Sequence, residues 1–230
     1  MARPATSTRK NPIVQLIVHR GTHEIGGSCV ELRTASTRLI LDVGLPLVDA
    51  DREPFDQRRI RGKSIDELIA EGTVPNVPGL FTAGPPPDAV LLSHCHLDHV
   101  GLLKFIKPDI PIYASKGTSK MMLAGAVFSR QQSLDEDQYR EVKSGQNFTI
   151  GDFTVTPFPV DHSSYGANAF LLEANGQSLL YSGDLRMHGR KPGMVKDLIA
   201  DVGPKNINVL LMEGTHFGSD RTQDRNEYQL

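Results

Sequence analysis

The chain has 230 residues, of which 39% are hydrophobic and 23% charged, enough to bury the core of one large domain or two small ones. Its formal net charge of −2 excludes a global basic field for nucleic acid, though not a local basic groove. Two distant cysteines, Cys29 and Cys95, set no disulfide framework and suit a reducing compartment, and no apolar run approaches the length of a membrane span.

Residues 1–12, MARPATSTRKNP, are basic and polar and lack the apolar core of a secretion signal. They read as a disordered basic tail on a cytoplasmic protein, with a short transit peptide as the weaker alternative. Apolar and β-branched content predicts strands at 13–19, 29–33 and 38–41, the last two joined by a turn at 34–37. Residues 44–87 form a long excursion rich in Gly, Pro and charge. One short helix is predicted there at 64–71, with Ser64 as N-cap and Glu67 completing a capping box. Pro75, Pro78 and Pro85-Pro86-Pro87 then break regular structure.

A buried strand follows at 88–92, then a helix at 97–106 stopped by Pro108, and a short strand at 112–114. A longer helix lies within 116–142, with Gly125 as its weak point. Four strands are predicted at 147–150, 153–159, 169–173 and 178–181, with Asn175-Gly176 as the hairpin turn between the last two. Residues 194–200 read as a helix and 207–212 as a final apolar strand. Strands at both ends with helices between and after predict α/β layers with mixed sheets.

Three of the 8 histidines fall in Ser93-His94-Cys95-His96-Leu97-Asp98-His99, where a buried strand gives way to a helix. On extended backbone, positions 94 and 96 point to one side, and Asp98 and His99 follow at the turn. Imidazole and carboxylate suit zinc, and such a cluster can serve two ions about 3.5–4 Å apart. A solvated loop histidine that caps a helix is the better reading of one such residue, not of this spacing.

The pattern His-x-His-x-Asp-His resembles the signature of the metallo-β-lactamase superfamily. The resemblance implies that His94, His96 and a later histidine hold one metal. Asp98, His99 and a later aspartate hold a second, with that aspartate bridging. His162, in Pro159-Val160-Asp161-His162-Ser163, and Asp184, in Tyr181-Ser182-Gly183-Asp184, follow predicted strands where the family needs its later ligands. The segments 21–29 and 39–44 are similar to the family's opening, which implies a supporting role for Asp42. The resemblance covers residues 13–218, read as the first, larger part of a catalytic domain with an αββα sandwich fold and mixed sheets.

Val209-Leu210-Leu211-Met212-Glu213-Gly214-Thr215 and Ser182-Gly183-Asp184-Leu185-Arg186 resemble the β-CASP nuclease branch, which includes ribonuclease J and the endonuclease that cuts pre-mRNA 3′ ends. In that branch a β-CASP cap follows, and the chain returns to supply two more histidines. Because the sequence stops at Leu230, the cap and those histidines are expected to be lacking and the sandwich to be incomplete at the C-terminus. Residues 219–230 then read as a polar tail or the start of the missing cap, in either a fragment or a naturally short member. Glu213 matches the branch's acidic motif and would orient one of the missing histidines. His216 reads as a loop histidine near the site, with replacement of the missing ligand as the alternative.

Other residues are weighed individually. His188, with Arg186, Arg190 and Lys191, could contact phosphate or sit in a solvated loop. His23 is expected to line the cleft and His19 to be structural. Cys95 should point away from the metals and Cys29 should be core. The basic run of Arg52, Arg58, Arg59, Arg61 and Lys63 reads as a solvated loop rather than a nucleic-acid track.

The resemblance implies metal-dependent phosphodiester hydrolysis by two zinc ions, with manganese as the alternative, and a bridging hydroxide. Asp184 would bridge and Asp98 would accept a hydrogen bond from the nucleophile. RNA is the expected substrate and DNA the second. Two further readings stay open. One is a small-molecule hydrolase acting on a thioester, lactone or β-lactam. The other is a non-catalytic metal-binding module completed by a partner chain or a second copy in a homo-oligomer.

Overall fold

The structure, a computed structural model, describes residues 14–214 except 23, 50, 52 and 130. The expectations for residues 1–12, His23, Arg52, His216 and residues 219–230 lie outside the described residues.

The first sheet runs in the order β1 (Gln15–Arg20), β2 (Cys29–Arg33), β3 (Arg38–Leu41), β4 (Ala89–Leu91), β5 (Ile112–Ser115) and β6 (Tyr139–Val142). Its first three strands are antiparallel hairpins; β3 to β6 are parallel. The second sheet is built from β7 (Phe148–Ile150), β8 (Phe153–Pro159), β9 (Asn168–Ala174), β10 (Gln177–Tyr181) and β11 (Val209–Leu211). It is an antiparallel meander to which β11 adds in parallel beside β10. Both sheets are mixed, as the strand pattern predicts. Asn175 and Gly176 take φ of 54° and 74° at the β9–β10 turn, the left-handed pair that a tight hairpin needs.

Alternation along the strands sorts the apolar residues into three layers. Leu39, Leu41 and Leu91 of the first sheet meet Phe153, Phe170 and Leu172 of the second in a core between the sheets. Ile40, Val90 and Ile112 face the other way and pack against Leu68, Val100 and Met122. These come from α1 (Ile65–Ala70), α2 (Leu97–Val100) and α3 (Lys116–Ser129). On the far face of the second sheet, Ala169, Leu171 and Leu180 pack against Leu198 and Val202 of α4 (Gly193–Val202). The order of layers is therefore helix, sheet, sheet, helix, the expected αββα sandwich. Among the described residues no helix is long and apolar enough to cross a membrane.

One local prediction needs correction, and one strand, β6, is not foreseen. The helix expected over 97–106 is one turn of α-helix followed by a 3-10 turn at Leu103–Phe105. The carbonyls of Asp98 and His99, which would continue the helix, accept instead from the Ser28 and Val43 N–H groups at 3.0 and 2.8 Å. The Leu102 N–H turns to the Val43 carbonyl, and Leu97 O also takes the Leu45 N–H. The backbone before β2 and after β3 thus takes the place of the helix's own ladder beyond its first turn. The helix expected within 116–142 ends at Ser129, and β6 follows. Its sequence, YREV, carries no apolar alternation because it is the sheet's outer strand. The buried Gln138 amide ties its start to the Lys107 and Ile110 carbonyls at 3.1 Å.

An ion pair helps to fasten the long excursion. Glu31 is buried on β2 and accepts two bonds of 2.9 Å from Arg38 and one of 2.8 Å from His19. Arg38 also donates to the carbonyls of Pro78 and Pro85, which pins the proline-rich segment against the sheet. The predicted capping box of Ser64 and Glu67 is present at the start of α1. Cys29 is core as expected; burial, then the Asp42 and Glu31 charges, push its thiol up to about 12.

Burial alone would raise the Glu31 carboxyl, but the bonds from Arg38 and His19 hold it below its ordinary 4.5. A depressed carboxylate contributes stability that is complete above the ordinary value and is lost as pH falls through the lowered one. Glu31→Gln should therefore destabilise the fold near neutral pH. The gap to the wild type should narrow as denaturant midpoints are followed from about pH 7 to about pH 3. A constant gap across that range would contradict the assignment.

Candidate metal centre

Three strands deliver the centre at equal depth. His94, His162 and Asp184 each lie three residues past the end of a strand, β4, β8 and β10 respectively. His96, Asp98 and His99 follow His94 through the tight entry to α2. The resulting ligand atoms fall into two groups, His94, His96, His162 and Asp184 in one and Asp98, His99 and Asp184 in the other. Within each group they lie within 4.8 Å of one another. All six residues predicted as ligands are thus brought together.

Asp184 belongs to both groups through different oxygens. Its Oδ2 lies 3.9 Å from His94 Nε2 and 3.6 Å from His162 Nε2, and its Oδ1 lies 3.2 Å from His99 Nε2. Asp98 Oδ2 is 3.4 Å from His99 Nε2. On the other side, His96 Nδ1 lies 3.1 Å from both His94 Nε2 and His162 Nε2.

Behind these six residues stands a buried carboxylate. Asp42, fully enclosed and in the left-handed region at φ 56°, follows β3 directly. It accepts from the Ser93 N–H at 2.8 Å, the Ser93 hydroxyl at 2.7 Å, His99 Nδ1 at 2.8 Å and the Tyr181 hydroxyl at 2.6 Å. Ser93 spends its hydroxyl hydrogen on Asp42, so His94 Nδ1, 3.0 Å away, is the donor in their contact. These bonds turn Nε2 of both His94 and His99 towards the centre. The expected support from Asp42 is present. Ser93 and Tyr181 complete it, although neither shows in sequence as more than a polar end to an apolar run.

Two further contacts set the loops. The Glu213 carboxylate accepts from the Leu185 N–H at 2.8 Å and so holds the turn that carries Asp184. A Cβ on Gly44 would fall 1.7 Å from the Asp98 carbonyl oxygen, which leaves glycine as the one residue that permits this backbone approach.

The electrostatics keep three of the imidazoles short of protons and Asp184 charged. Burial, then the neighbouring imidazoles, hold His94 well below its ordinary range. Burial also lowers His96 and His162 against the opposing pull of Asp98 and Asp184. Neutral rings make His96 Nδ1 face two ring nitrogens with at most one hydrogen to share. Burial would lower His99 too, but Asp42, Asp184 and Asp98 outweigh it and raise it well above. Burial would raise Asp184, yet the bond and charge of His99 and the neighbouring imidazoles hold it low. Crowded electron pairs on one side and clustered carboxylates on the other are relieved by cations, so the donor set fits bound divalent metal.

A cavity of about 450 Å³ opens on the Asp98 and His99 side, and another of about 640 Å³ on the His162 side. The remaining predicted residues stand apart. Cys95 points away, with Sγ 3.1 Å from Ser164 Oγ. His19 is committed to Glu31, and His188 is exposed in the loop after Asp184. In the basic run, Arg58 pairs with Asp56, Arg59 with Asp49 and Lys63 with Glu71, so these three charges are locally answered.

Asp42→Asn should weaken divalent-metal affinity about 10–100-fold, because His99 loses the carboxylate that orients it. Tyr181→Phe, which removes one of the four bonds, should have the smaller effect. Calorimetric metal titration beside circular dichroism checks both. Unchanged affinity in a folded Asp42→Asn protein would contradict the assignment.

Comparison with known proteins places the chain. A family described as the beta-lactamase superfamily domain matches residues 66–226. The probable RNase MJ4 of Methanocaldococcus jannaschii is 27% identical over 93% of this chain and 48% of its own length. The ribonuclease J of Mycobacterium tuberculosis is 30% identical over 56% of this chain and 24% of its own. The transcription termination factor FttA of Methanothermobacter thermautotrophicus is 24% identical over 93% and 33%. The chain thus spans about half the length of the first of these relatives, and less of the others. Among solved structures, an Enterococcus faecalis protein of unknown function has a TM-score of 0.74 at 25% identity, over 91% of this chain and 52% of that one. A Cronobacter sakazakii metallo-beta-lactamase has a TM-score of 0.54 at 20% identity, over 90% and 81%, and shares the fold. With most of its length matched and its αββα layers and His/Asp cluster in place, the chain belongs to the beta-lactamase superfamily, and its curated relatives are ribonuclease J-like.

Proposed function

We propose that this chain carries the hydrolytic centre of a metal-dependent ribonuclease. The observation that carries the reading is Asp184, whose two oxygens face two separate groups of nitrogen and oxygen donors. In this reading His94, His96 and His162 would hold one ion and Asp98 and His99 the other, with Asp184 available to both. Zinc suits the imidazole and carboxylate set, with manganese as the alternative. The chemistry that two such ions supply is acidification of a water and charge compensation at phosphorus.

The chain's own residues do the rest. Asp98, partly exposed on the rim, accepts a hydrogen bond from the attacking water and orients it towards phosphorus. Asp42 and Ser93 fix the ring orientations of His99 and His94. Glu213 acts as a positioning residue for Asp184 through Leu185. RNA as substrate is supported by the ribonuclease names of the relatives, with DNA second. The two free cysteines suit a reducing cytoplasm.

Elemental analysis of the purified chain should find about two zinc ions, and fewer in Asp184→Ala. Cleavage of a labelled RNA should fall about a hundredfold or more in that variant. Hydrolysis of a thioester or a chromogenic β-lactam, with no cleavage of RNA or of bis(4-nitrophenyl) phosphate, would replace this reading with the small-molecule one. A folded chain without metal would point to the module that a partner completes.

A further inference from the structure

We propose that the groove beside His162 is the seat of a single RNA strand, held by its phosphates and by one stacked base. The proposal rests on the ribonuclease reading and adds where the strand lies. The groove, about 640 Å³, runs away from His162 between the start of α3, the end of β6 and the loop after β10. Lys116, Lys143, Arg186, Arg190 and Lys191 line it. They come from three separate parts of the chain, so the clustering is a product of the fold rather than of one basic run.

The opposing charges are Glu141 and Asp161. Asp161 is already engaged: its carboxylate accepts from the Lys191 N–H and lies 3.5 Å from Arg186 Nε. Among the described lining residues, Lys116, Lys143 and Lys191 thus stand beside one further carboxylate, Glu141, although the whole chain has a net charge of −2. A local surplus of positive charge on an acidic chain, with one end at the proposed ligands, fits a polyanion led to the centre.

Tyr165 distinguishes a strand from other polyanions. It is 68% exposed and lines the same groove, in the loop that links His162 to β9. That loop is fixed at its base. The Ser115 and Thr118 hydroxyls donate to the Gly166 carbonyl at 2.7 and 3.2 Å. The backbones of Gly117 and Gly166 touch so closely that a Cβ on either would come within 2.7 Å of the other. A ring presented on a rigid base beside cations suits an unpaired base, whose face a duplex would hide. Little entropy is lost on stacking, because the loop is already ordered.

The test is fluorescence anisotropy of the full chain with a labelled single-stranded RNA, in chelator to stop turnover. The double variant Lys116→Ala/Lys143→Ala should bind more weakly, and its slope of log affinity against log salt should be shallower by about 1.4. Tyr165→Ala should bind the strand about tenfold more weakly and leave duplex RNA unaffected. Neither substitution touches the proposed metal-holding residues, so the folded variants should take up zinc as the wild type does. Folded variants that bind RNA like the wild type would overturn the proposal. So would equal weakening towards strand and duplex in Tyr165→Ala, competition by polyglutamate as effective as by RNA, or a wild type that binds no RNA. Failure of the metal-loaded wild type to hydrolyse bis(4-nitrophenyl) phosphate, with the binding effects intact, would sink the ribonuclease reading and leave the groove standing.

Discussion

The enclosed carboxylate of Asp42 is the constraint on which the rest of the site depends. It leaves the end of β3 in the first sheet and takes a hydrogen bond from Tyr181 at the end of β10 in the second. It therefore joins the two sheets at the edge where the ligand-bearing loops emerge. A buried charge is tolerated only when its oxygens are satisfied, and each of its four bonds fixes something the centre needs. Two hold Ser93, one turns the ring of His99, and one anchors the strand that leads to Asp184. The inter-sheet core and the centre thus share a single polar hinge point, and neither can shift without unsatisfying it.

The arrangement divides labour between covalent order and tertiary order. His94, His96, Asp98 and His99 are neighbours in sequence, and their spacing made most of the cluster legible from the chain alone. His162 and Asp184 lie far downstream, and only their places after strands and their likeness to the family's motifs singled them out. Strands such as 38–41 were legible from their apolar and β-branched content, and Asn175-Gly176 marks its own turn. What stayed illegible depends on partners that are distant in sequence. Nothing in 97–106 shows that the Ser28 and Val43 N–H groups will take the helix's carbonyls. Nothing in YREV shows that Tyr113 and its neighbours will pair with it. Ser93 and Tyr181 look like ordinary strand ends until Asp42 is placed between them.

Charge on this molecule is organised by location rather than by total. Part of the long excursion's basic run is answered by nearby carboxylates, while the groove by His162 collects cations from three segments. The centre stands between that groove and the cavity on the Asp98 side, so it is reached from both directions across the sandwich edge.

The replacement of α2's own ladder by main-chain partners has a consequence for how this site can drift over evolutionary time. Positions 28, 43 and 45 serve the centre through their N–H groups, atoms that every residue except proline possesses. The side chains of Val43 and Leu45 answer to packing, so they can be exchanged without any change in the frame of the site, whereas the Ser28 hydroxyl also bonds Tyr181. The site's architecture is in this respect written in the backbone. Homologues could diverge widely at positions 43 and 45, proline excepted, and still place the same histidines at the same depth.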